Sequence, residues 1–416
     1  MTARRFERNT REVNKNTGNG DYIRRLNRGI VLDRIRNAQP ISRAQIAKET
    51  GMSRSTCSLL VDELISDRLV VESGKADSSG GRKPIMLELN YEAGVALGVK
   101  LMATSVVTAV VDLKGNAVER LETPVQYFAD SNSYLNTVVD SARQLMDGHL
   151  ANHPGSAIFG IGVGISGLVD ETHGVSLSSS ILHWHDVPLR RLLAEELGLP
   201  VYVENDVNAF ALGEYWFGSG RGIEDFLCVT LGRGVGLGIV MGGQIYRGAH
   251  RGAGEFGHIR VSDAESAPRD TGGLVGTVEA FASDAAIVEY VRSHGKSRDG
   301  SHAELPGDID AAIAQVRKEA EAGDATATAA FDRAGHYLGI GLSSLINLFD
   351  PELILIGGEG SASLPHMWEA MEKAVADNTA YDLHTRSRRV QVTSEEDLWV
   401  RGVATLVIRD VFTLNV

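Results

Sequence analysis

Two sets of polar side chains give this 416-residue chain candidate binding chemistry. In the middle of the chain, Asn205 can donate and accept hydrogen bonds, and the carboxylates of Asp206 and Glu255 can accept charge-assisted bonds from adjacent hydroxyl groups of a ligand. Near the amino terminus, one arginine and three short hydroxyl side chains stand together between positions 54 and 58. Groups of that kind contact base edges and phosphates in DNA.

The amino-terminal set falls within a helix-turn-helix pattern. Ser42 is placed to cap a short helix that runs through Glu49, and Gly51 permits the positive φ of a tight turn before a second helix opens at Ser53. Helical spacing in the second helix predicts a buried stripe formed by Cys57, Leu60, Val61 and Leu64. The hydroxyl side chains then face outward near the amino-terminal end of that helix, where a recognition helix contacts the major groove.

Two further segments precede this pattern. Residues 1–20 are polar and rich in Arg and Asn, which predicts a flexible basic arm. The following residues predict an amphipathic helix from Tyr22 to Asn37 that ends near Pro40. Its apolar face consists of Ile23, Leu26, Ile30, Leu32 and Ile35.

A glycine-rich basic segment, residues 78–84, lies between two predicted strands, Val70-Val71 and Ile85 to Leu89. Such a hairpin tip suits contact with a phosphate backbone or a minor groove, as in a wing. The sequence thus predicts a winged helix-turn-helix over residues 21–90, with a simple three-helix packing module and a solvated hairpin as the alternative. The predicted DNA contacts are Arg43, Ser53, Arg54, Ser55, Thr56, Ser58, Arg82 and Lys83.

The charge distribution separates this amino-terminal region from the rest of the chain. Residues 1–90 carry 17 Lys and Arg against 11 Asp and Glu, a net charge of +6, whereas the other 326 residues carry 24 against 43, a net charge of -19. A basic head on an acidic body is the pattern expected when one domain binds the phosphates of DNA.

Several classes of protein are disfavoured. The two cysteines, Cys57 and Cys228, lie far apart in apolar runs, which excludes a multi-cysteine metal site within one chain and argues against a disulfide framework. The amino terminus lacks the apolar core of a secretory signal, and no run approaches the roughly 18 apolar residues of a membrane span. We therefore expect a cytoplasmic protein without a membrane partner.

From Tyr91 onward the sequence alternates apolar strands, glycine turns and amphipathic helices. Two antiparallel strands, Val95 to Leu101 and Ser105 to Val111, are predicted to open this region. The later predicted strands are Ile158 to Gly164, Val201 to Val203, Phe226 to Leu231, Leu237 to Val240 and Leu353 to Ile356. This pattern indicates an α/β body with two lobes around a cleft.

Several blocks in this body resemble the ROK family of repressors, open reading frames and kinases. The glycine-rich run Leu231 to Gly238 and the segment Gly254-Glu255-Phe256-Gly257-His258 resemble its signature. Glu204 to Ala209 resembles its sugar-site segment, and Asp350 to Gly358 resembles its carboxy-terminal nucleotide-side turn. One glycine run alone would be weak evidence, but the order and spacing of all the blocks make the resemblance strong.

The resemblance implies a sugar-kinase fold of the actin-like ATPase, ribonuclease H-like class. Residues 91–206 and 397–416 would form a smaller α/β lobe, and residues 207–396 a larger α/β lobe with the sugar-site loops and a dimerisation surface. The implied sugar-binding residues are Gly167, Asn205, Asp206, Glu255, His258 and Glu279. The residue that matches Asp206 is the general base in the kinases of the family. As the alternative, Asn205, Asp206 and Glu279 cap helices or loops and His258 is an interior histidine; Trp184 could equally stack on a sugar or belong to the core.

The chain departs from the family where phosphate and zinc would bind. Kinases of the family carry an Asp-x-Gly-Gly-Thr turn, but here Lys100 takes the acidic position and Met102 and Ala103 replace the glycines. A lysine cannot help to hold Mg²⁺, and Arg233 stands where the second phosphate loop usually has threonine. Three positions that are zinc-binding cysteines in the family align with Asp270, Gly272 and Thr277. We therefore expect no catalytic residue and no cofactor, and a loop held by packing alone.

Together these observations predict a sugar-responsive DNA-binding regulator of carbohydrate metabolism genes, similar to xylose and N-acetylglucosamine repressors, with an inactive kinase-like body. We expect it to bind double-stranded operator DNA as a homodimer or homotetramer and to be a repressor released by a sugar. Two alternatives are a ROK-type sugar kinase that retains a DNA-binding head, and a regulator whose body serves only for dimerisation or protein docking.

Overall fold

The computed structural model of the protein describes residues 18–75, 84–126, 131–295, 305–392 and 397–413. Residues 1–17 of the predicted arm and the predicted wing residues Arg82 and Lys83 lie outside these ranges. No helix within the ranges is long and apolar enough to cross a membrane.

The amino-terminal region contains three helices and a small sheet. The helices are α1 (Gly18–Ala38), α2 (Arg43–Thr50) and α3 (Arg54–Ser66), and the strands β1 (Ile41–Ser42), β2 (Val70–Lys75) and β3 (Ile85–Leu89) form an antiparallel sheet in the order β1-β3-β2. Ser42 and Gln45 form a capping box at the start of α2, and Gly51 ends it with a left-handed φ of 72°. Ser53 caps α3 by accepting a hydrogen bond from the Thr56 N–H. The predicted stripe of α3 is buried in full.

The apolar face predicted for α1 is only partly correct. Leu32 and Ile35 are buried, but Ile23, Leu26 and Ile30 are 46%, 43% and 41% exposed. The reason lies in what α1 meets along its length. Its amino-terminal turns form two ion pairs with α3 and the residue after it, Arg24–Glu63 and Arg28–Asp67.

The body begins with a five-stranded sheet in the order β11-β7-β4-β5-β6. Its strands are β4 (Gly94–Leu101), β5 (Ser105–Asp112), β6 (Ala117–Pro124), β7 (Ala157–Ile165) and β11 (Val201–Asn205). Strands β4, β7 and β11 are parallel, whereas β4, β5 and β6 form the predicted antiparallel opening. Helices α4 (Ser131–Asn152) and α5 (Leu189–Leu197) and a small antiparallel sheet of β8 (Leu168–Asp170), β9 (Val175–Ser179) and β10 (Trp184–Val187) complete this first lobe.

The second lobe repeats the same mixture of parallel and antiparallel pairing in the order β14-β13-β12-β15-β16. Its strands are β12 (Phe226–Leu231), β13 (Val235–Met241), β14 (Gln244–Ile245), β15 (Leu353–Gly357) and β16 (Arg388–Gln391). Its helices are α7 (Val278–Ala282), α8 (Asp284–His294), α9 (Ile309–Glu321), α10 (Ala325–Phe349) and α11 (Leu364–Asn378). They cover a core that includes Phe256, Phe331 and Met371.

Two helices, α6 (Asp206–Phe217) and α12 (Leu398–Thr413), join the two lobes. Helix α12 lies so close to β4 and β7 that a side chain at Gly98 or Gly162 would collide with its backbone. Helix α6 lies on β13 of the other sheet, where a side chain at Gly238 would collide with Ala211. The two helices also pack closely against each other at Gly402.

Candidate functional site

The parallel strands β7 and β11 bring part of the predicted sugar site together. Their carboxyl ends lie side by side, so Gly167, just after β7, meets Asn205 at the end of β11. The Asn205 Nδ2 donates to the Gly167 carbonyl at 3.0 Å, and its Oδ1 accepts from the Asn208 N–H at 3.1 Å and so caps α6. Asn205 therefore caps a helix, as the alternative to sugar binding predicts. Gly167 has a φ of 107°, and a side chain there would meet the Ser178 carbonyl.

Asp206 is the first residue of α6 and faces a charged neighbourhood. Its side chain is partly buried, and its Oδ1 accepts from the Val207 N–H at 3.0 Å. Burial raises the pKa of Asp206; the charge of Lys100 opposes that rise and the charge of Glu359 adds to it. The carboxylate therefore lies close enough to the Lys100–Glu359 ion pair to be influenced by both of its charges.

The other predicted sugar residues gather around a short 3-10 turn at Phe256–His258, which packs against β13. Glu255 is half exposed, and His258 Nε2 lies 3.8 Å from its carboxylate. Glu279 is buried, and its carboxylate accepts from the Val235 N–H at 3.2 Å and from the Thr271 hydroxyl at 2.6 Å. His258 is 38% exposed, so the interior-histidine alternative is wrong.

The loop that replaces the cysteine-rich segment is held by hydrogen bonds, so the expectation of packing alone is wrong. The buried carboxylate of Asp270 pairs with His258 Nδ1 at 2.8 Å and accepts from the Thr277 hydroxyl at 3.0 Å and the Leu274 N–H at 2.9 Å. Two of the three aligned positions, Asp270 and Thr277, therefore bond to each other, and the third, Gly272, lies beside Asp270. No motif in the sequence indicates such a network of side chains at this position.

These groups also shift each other's titration. Burial lowers the pKa of His258, but the hydrogen bond that its Nδ1–H donates to Asp270 and the charges of Glu279, Asp270 and Glu255 outweigh it, so the net shift is upward. Burial raises the pKa of Asp270, yet its hydrogen bonds, above all that with His258, bring the net shift down. One ligand atom each of His258, Asp270 and Glu279 lie within 4.8 Å of one another, so these residues could hold a cation. They offer nitrogen and oxygen, not the thiolates of the family's zinc set.

Lys100 lies near the carboxyl end of β4 and is paired with a residue of the other lobe. Its side chain is 8% exposed, its Nζ lies 2.5 Å from Glu359 Oε1, and it lies 3.8 Å from the centre of the Trp399 ring. Because Lys100 belongs to β4 and Glu359 follows β15, this ion pair joins the two lobes. Arg233 points to another partner and pairs with Asp310 at 2.9 Å.

A second set of ion pairs spans the two lobes near β11 and the small sheet. Arg247, after β14, binds the buried carboxylate of Glu204 on β11 at 2.5 Å. Arg251 lies 3.5 Å from Asp170 and 3.4 Å from Glu171, which belong to the small sheet of the first lobe and the turn after β8. Sequence reasoning missed these pairs, because the partners are distant along the chain and carry no shared motif.

The structure settles the two readings of Trp184. Its side chain is buried and packs edge-on against Tyr134 at a centroid distance of 5.2 Å. Trp184 therefore belongs to the core of the first lobe.

In the amino-terminal region, four of the eight predicted DNA contacts are exposed together at the start of α3. Ser53, Arg54, Ser55 and Thr56 are exposed at the start of α3, and Ser58 is partly buried. Arg43 differs, because it pairs with Asp62 at 2.7 Å and with Glu72 at 3.6 Å. Leu59 lies on the same helix and is 55% exposed, which sequence analysis did not single out although it lies outside the buried stripe.

The chain is similar in sequence and structure to known proteins. The model of the ROK family matches residues 96–410. The xylose repressor of Caldicellulosiruptor bescii is 28% identical over 401 residues, which cover 95% of this chain and 98% of that protein. A solved ROK family transcriptional regulator, a homolog of the Escherichia coli MLC protein, superposes with a TM-score of 0.82 at 25% identity and covers 95% of this chain and 98% of its own. A ROK family glucokinase from Streptomyces griseus, solved with glucose and AMPPNP, gives 0.61 at 28% identity over 75% of this chain and 99% of its own.

Proposed function

This chain belongs to the ROK family, and on that premise we propose that it is a DNA-binding transcriptional regulator of carbohydrate genes that responds to a sugar. The observation that carries the proposal is the extent of the two structural matches. The glucokinase covers 75% of this chain, whereas the regulator covers 95%, so the amino-terminal region has its counterpart in the regulator.

The amino-terminal region is proposed to be a winged helix-turn-helix with α3 in the major groove. Three features support this: the capped turn at Gly51, the exposed polar start of α3, and the β2–β3 hairpin beside it. Of the predicted contacts, Arg54 is the strongest candidate for a phosphate or guanine contact because it is exposed. Arg43 would first have to leave Asp62, so it is a weaker candidate.

The cleft is proposed to bind a sugar through the groups that remain accessible. Asp206, Glu255 and His258 are partly or fully exposed, whereas Asn205 and Glu279 mainly shape the loops. Phosphoryl transfer is not proposed. The Lys100–Glu359 pair puts a cation, already bound to a carboxylate, at the position of the family's acidic residue.

A route from the sugar site to the head is supported by α6 and α12. Helix α6 begins at Asp206 and its Trp216 ring lies 4.0 Å from the Arg36 guanidinium of α1. Helix α12 begins beside the Lys100–Trp399 contact, and Phe412 near its end packs against Tyr91 at 6.4 Å. Movement of one lobe against the other would shift the ends of these helices and so the paired heads of a homodimer or homotetramer. Such coupling requires that the sugar bind one arrangement better than the other.

The test is a gel shift of the full chain on the promoter beside its gene, with and without sugars from a panel of pentoses, hexoses, amino sugars and disaccharides. Arg54→Ala should weaken DNA binding and reduce the slope of log K against log salt concentration by about one. Arg191 is an exposed arginine of the body, so Arg191→Ala should change neither quantity. Binding to duplex DNA that ignores Arg54→Ala, or no binding at low salt, would refute the placement of α3.

Sugar binding is measured separately by the rise in melting temperature across the same panel. The responding sugar should lose its effect in Asp206→Asn but not in Asp147→Asn, an exposed aspartate of α4. If DNA binds but no sugar raises the melting temperature, the body is a dimerisation or docking scaffold. Release of ADP from ATP in the presence of the bound sugar would instead establish a kinase that retains a DNA-binding head.

A further inference from the structure

Three side chains outside the cleft converge at the edge of the first sheet. Glu119 lies on the edge strand β6, and His149 and His153 lie four residues apart at the carboxy-terminal end of α4 and just after it. One ligand atom of each residue, a carboxylate oxygen or an imidazole nitrogen, lies within 4.8 Å of the other two. We propose that these side chains bind a divalent transition-metal ion, and that Zn²⁺ fits them best.

The hydrogen bonds of His149 suit a metal ligand. Its Nδ1 lies 2.8 Å from Glu119 Oε1, and its Nε2 lies 3.2 Å from the Ser156 hydroxyl. Histidines that bind metals commonly use one ring nitrogen for the ion and donate from the other to a nearby oxygen, which fixes the tautomer. Without the ion, Nδ1–H donates to the Glu119 carboxylate and Nε2 accepts from the Ser156 hydroxyl. With the ion bound, the metal takes the place of the Nδ1 proton, and Nε2–H donates to the Ser156 oxygen.

Little rearrangement is needed to complete the site. His149 is buried and Glu119 is 29% exposed, so two ligands are already held by their surroundings. The His153 ring is exposed and lies 4.6 Å from the His149 ring with 33° between their planes. Tetrahedral Zn²⁺ with bonds of about 2.0–2.1 Å places its ligand atoms roughly 3.3 Å apart. The exposed His153 side chain can close the remaining gap.

The ligand set selects the class of ion. Two imidazole nitrogens and one carboxylate oxygen suit Zn²⁺ and related transition metals, whereas Mg²⁺ prefers an all-oxygen set. The carbonyl end of α4 adds a favourable dipole for a cation. Three protein ligands leave a fourth position for water.

The ion would stabilise one corner of the body, away from the sugar site. Glu119 belongs to β6, the histidines to α4, and Ser156 immediately precedes β7. The sugar-site residue Gly167 follows the opposite end of β7, a strand of nine residues that spans about 27 Å. Binding of Zn²⁺ should therefore raise the stability of the body without competing with the sugar.

The experiment titrates untagged, chelator-treated full-length protein with Zn²⁺ in a calorimeter and measures its melting temperature with and without the ion. We expect a single Zn²⁺ ion per chain, a higher melting temperature, and no comparable heat from Mg²⁺. His153→Ala and Glu119→Gln should each weaken Zn²⁺ binding by about tenfold or more, since both remove a ligand. His250→Ala, an exposed histidine of another turn, should leave binding unchanged.

A His258→Ala variant separates this site from the His258–Asp270–Glu279 group. Zn²⁺ binding that survives His258→Ala and is lost in His153→Ala supports the proposal. Binding lost in His258→Ala and retained in His153→Ala assigns the ion to the other group and overturns it, as does the absence of Zn²⁺ binding by the wild-type chain. Because His153 is exposed, His153→Ala is expected to fold, which its circular dichroism spectrum would verify.

Discussion

Replacing Lys100 with methionine should loosen the contact between the two lobes. The substitution keeps a long side chain over the Trp399 ring but removes the charge, and with it both the ion pair to Glu359 and the cation–π contact. Lys100 is almost fully buried, so both contacts are largely shielded from water, whereas the Glu359 carboxylate that the substitution leaves behind is half exposed and can be hydrated. We expect a less stable body and a weaker hold between the β4 end of one lobe and the β15 end of the other.

The magnitude follows from the geometry. Two unit charges 2.5 Å apart attract by about 6.6 kcal/mol at an effective dielectric constant of about 20 and by about 1.7 kcal/mol in water. The Glu359 side chain is 49% exposed, so solvent screening brings the pair toward the lower figure. Hydrogen bonds to charged groups contribute about 1.5–3 kcal/mol and a desolvated cation–π contact about 2 kcal/mol. Lys100→Met should therefore lower the free energy of unfolding by about 2–4 kcal/mol.

The assay is a double-mutant cycle of Lys100→Met and Glu359→Gln, read by urea unfolding with tryptophan fluorescence. The coupling free energy should be about 1.5–3 kcal/mol, well above the roughly 0.5 kcal/mol at which independent sites add. Lys114→Met is the matched control, because Lys114 is exposed and lies 5.4 Å from the Tyr91 ring; it should cost less than about 1 kcal/mol. A coupling free energy near zero would refute the interlobe pair.

Three further predictions test the head, the loop and the cleft. Gly51→Ala should lower the free energy of unfolding by about 1–2 kcal/mol, because the residue has a φ of 72°. Gly148→Ala, inside α4 with open space around the added methyl group, should raise it by about 0.5–1 kcal/mol. Thermal melts in which both substitutions shift the stability in the same direction would contradict this. Asp270→Asn should lower the pKa of His258, which an NMR titration of its ring protons measures; an unchanged pKa would mean that the hydrogen bond does not set it. Burial raises the pKa of Asp284 to about 6, because the folded protein favours the neutral acid. The stability that the neutral form contributes is fully present below about pH 4 and is lost as the pH rises through 6. Asp284→Asn should therefore stabilise the protein by up to about 3 kcal/mol at pH 7.5 and hardly at pH 4 in urea unfolding, and equal effects at both values would exclude a neutral buried acid.

Local patterns in the sequence were sufficient to predict α2, α3 and the turn between them. The caps at Ser42 and Ser53, the turn at Gly51 and the buried stripe of α3 each depend on residues within one or two helical turns. The face of α1 was predicted less well, since helical spacing alone cannot say which turns another element will cover. Ile23 illustrates this: it fits the apolar period, yet its side chain is exposed, and the neighbouring Arg24 forms an ion pair with Glu63 of α3.

The cleft shows where sequence reasoning reaches its limit. Lys100 stood out because its type contradicts phosphate chemistry, but its partner Glu359 lies 259 residues away and belongs to another sheet. In the same way, Asp270 was recognised only as a missing cysteine. That it would replace the expected packing with a bond to His258 depended on the path of the loop, which no spacing rule specifies.

The ion pairs across the cleft also explain how a sugar could act as a switch without phosphate transfer. The Lys100–Glu359 pair on one side and the Arg247–Glu204 pair on the other connect the lobes through charges that the protein itself supplies. To move an equilibrium between two lobe arrangements from 1:99 to 99:1, a ligand must favour one of them by about 5.5 kcal/mol. A few charge-assisted hydrogen bonds from sugar hydroxyls supply free energy of that order, and two partly solvated ion pairs oppose or support it with a similar amount. On the proposed function, the strength of the interlobe pairs therefore sets how much binding free energy the sugar must contribute before DNA binding changes.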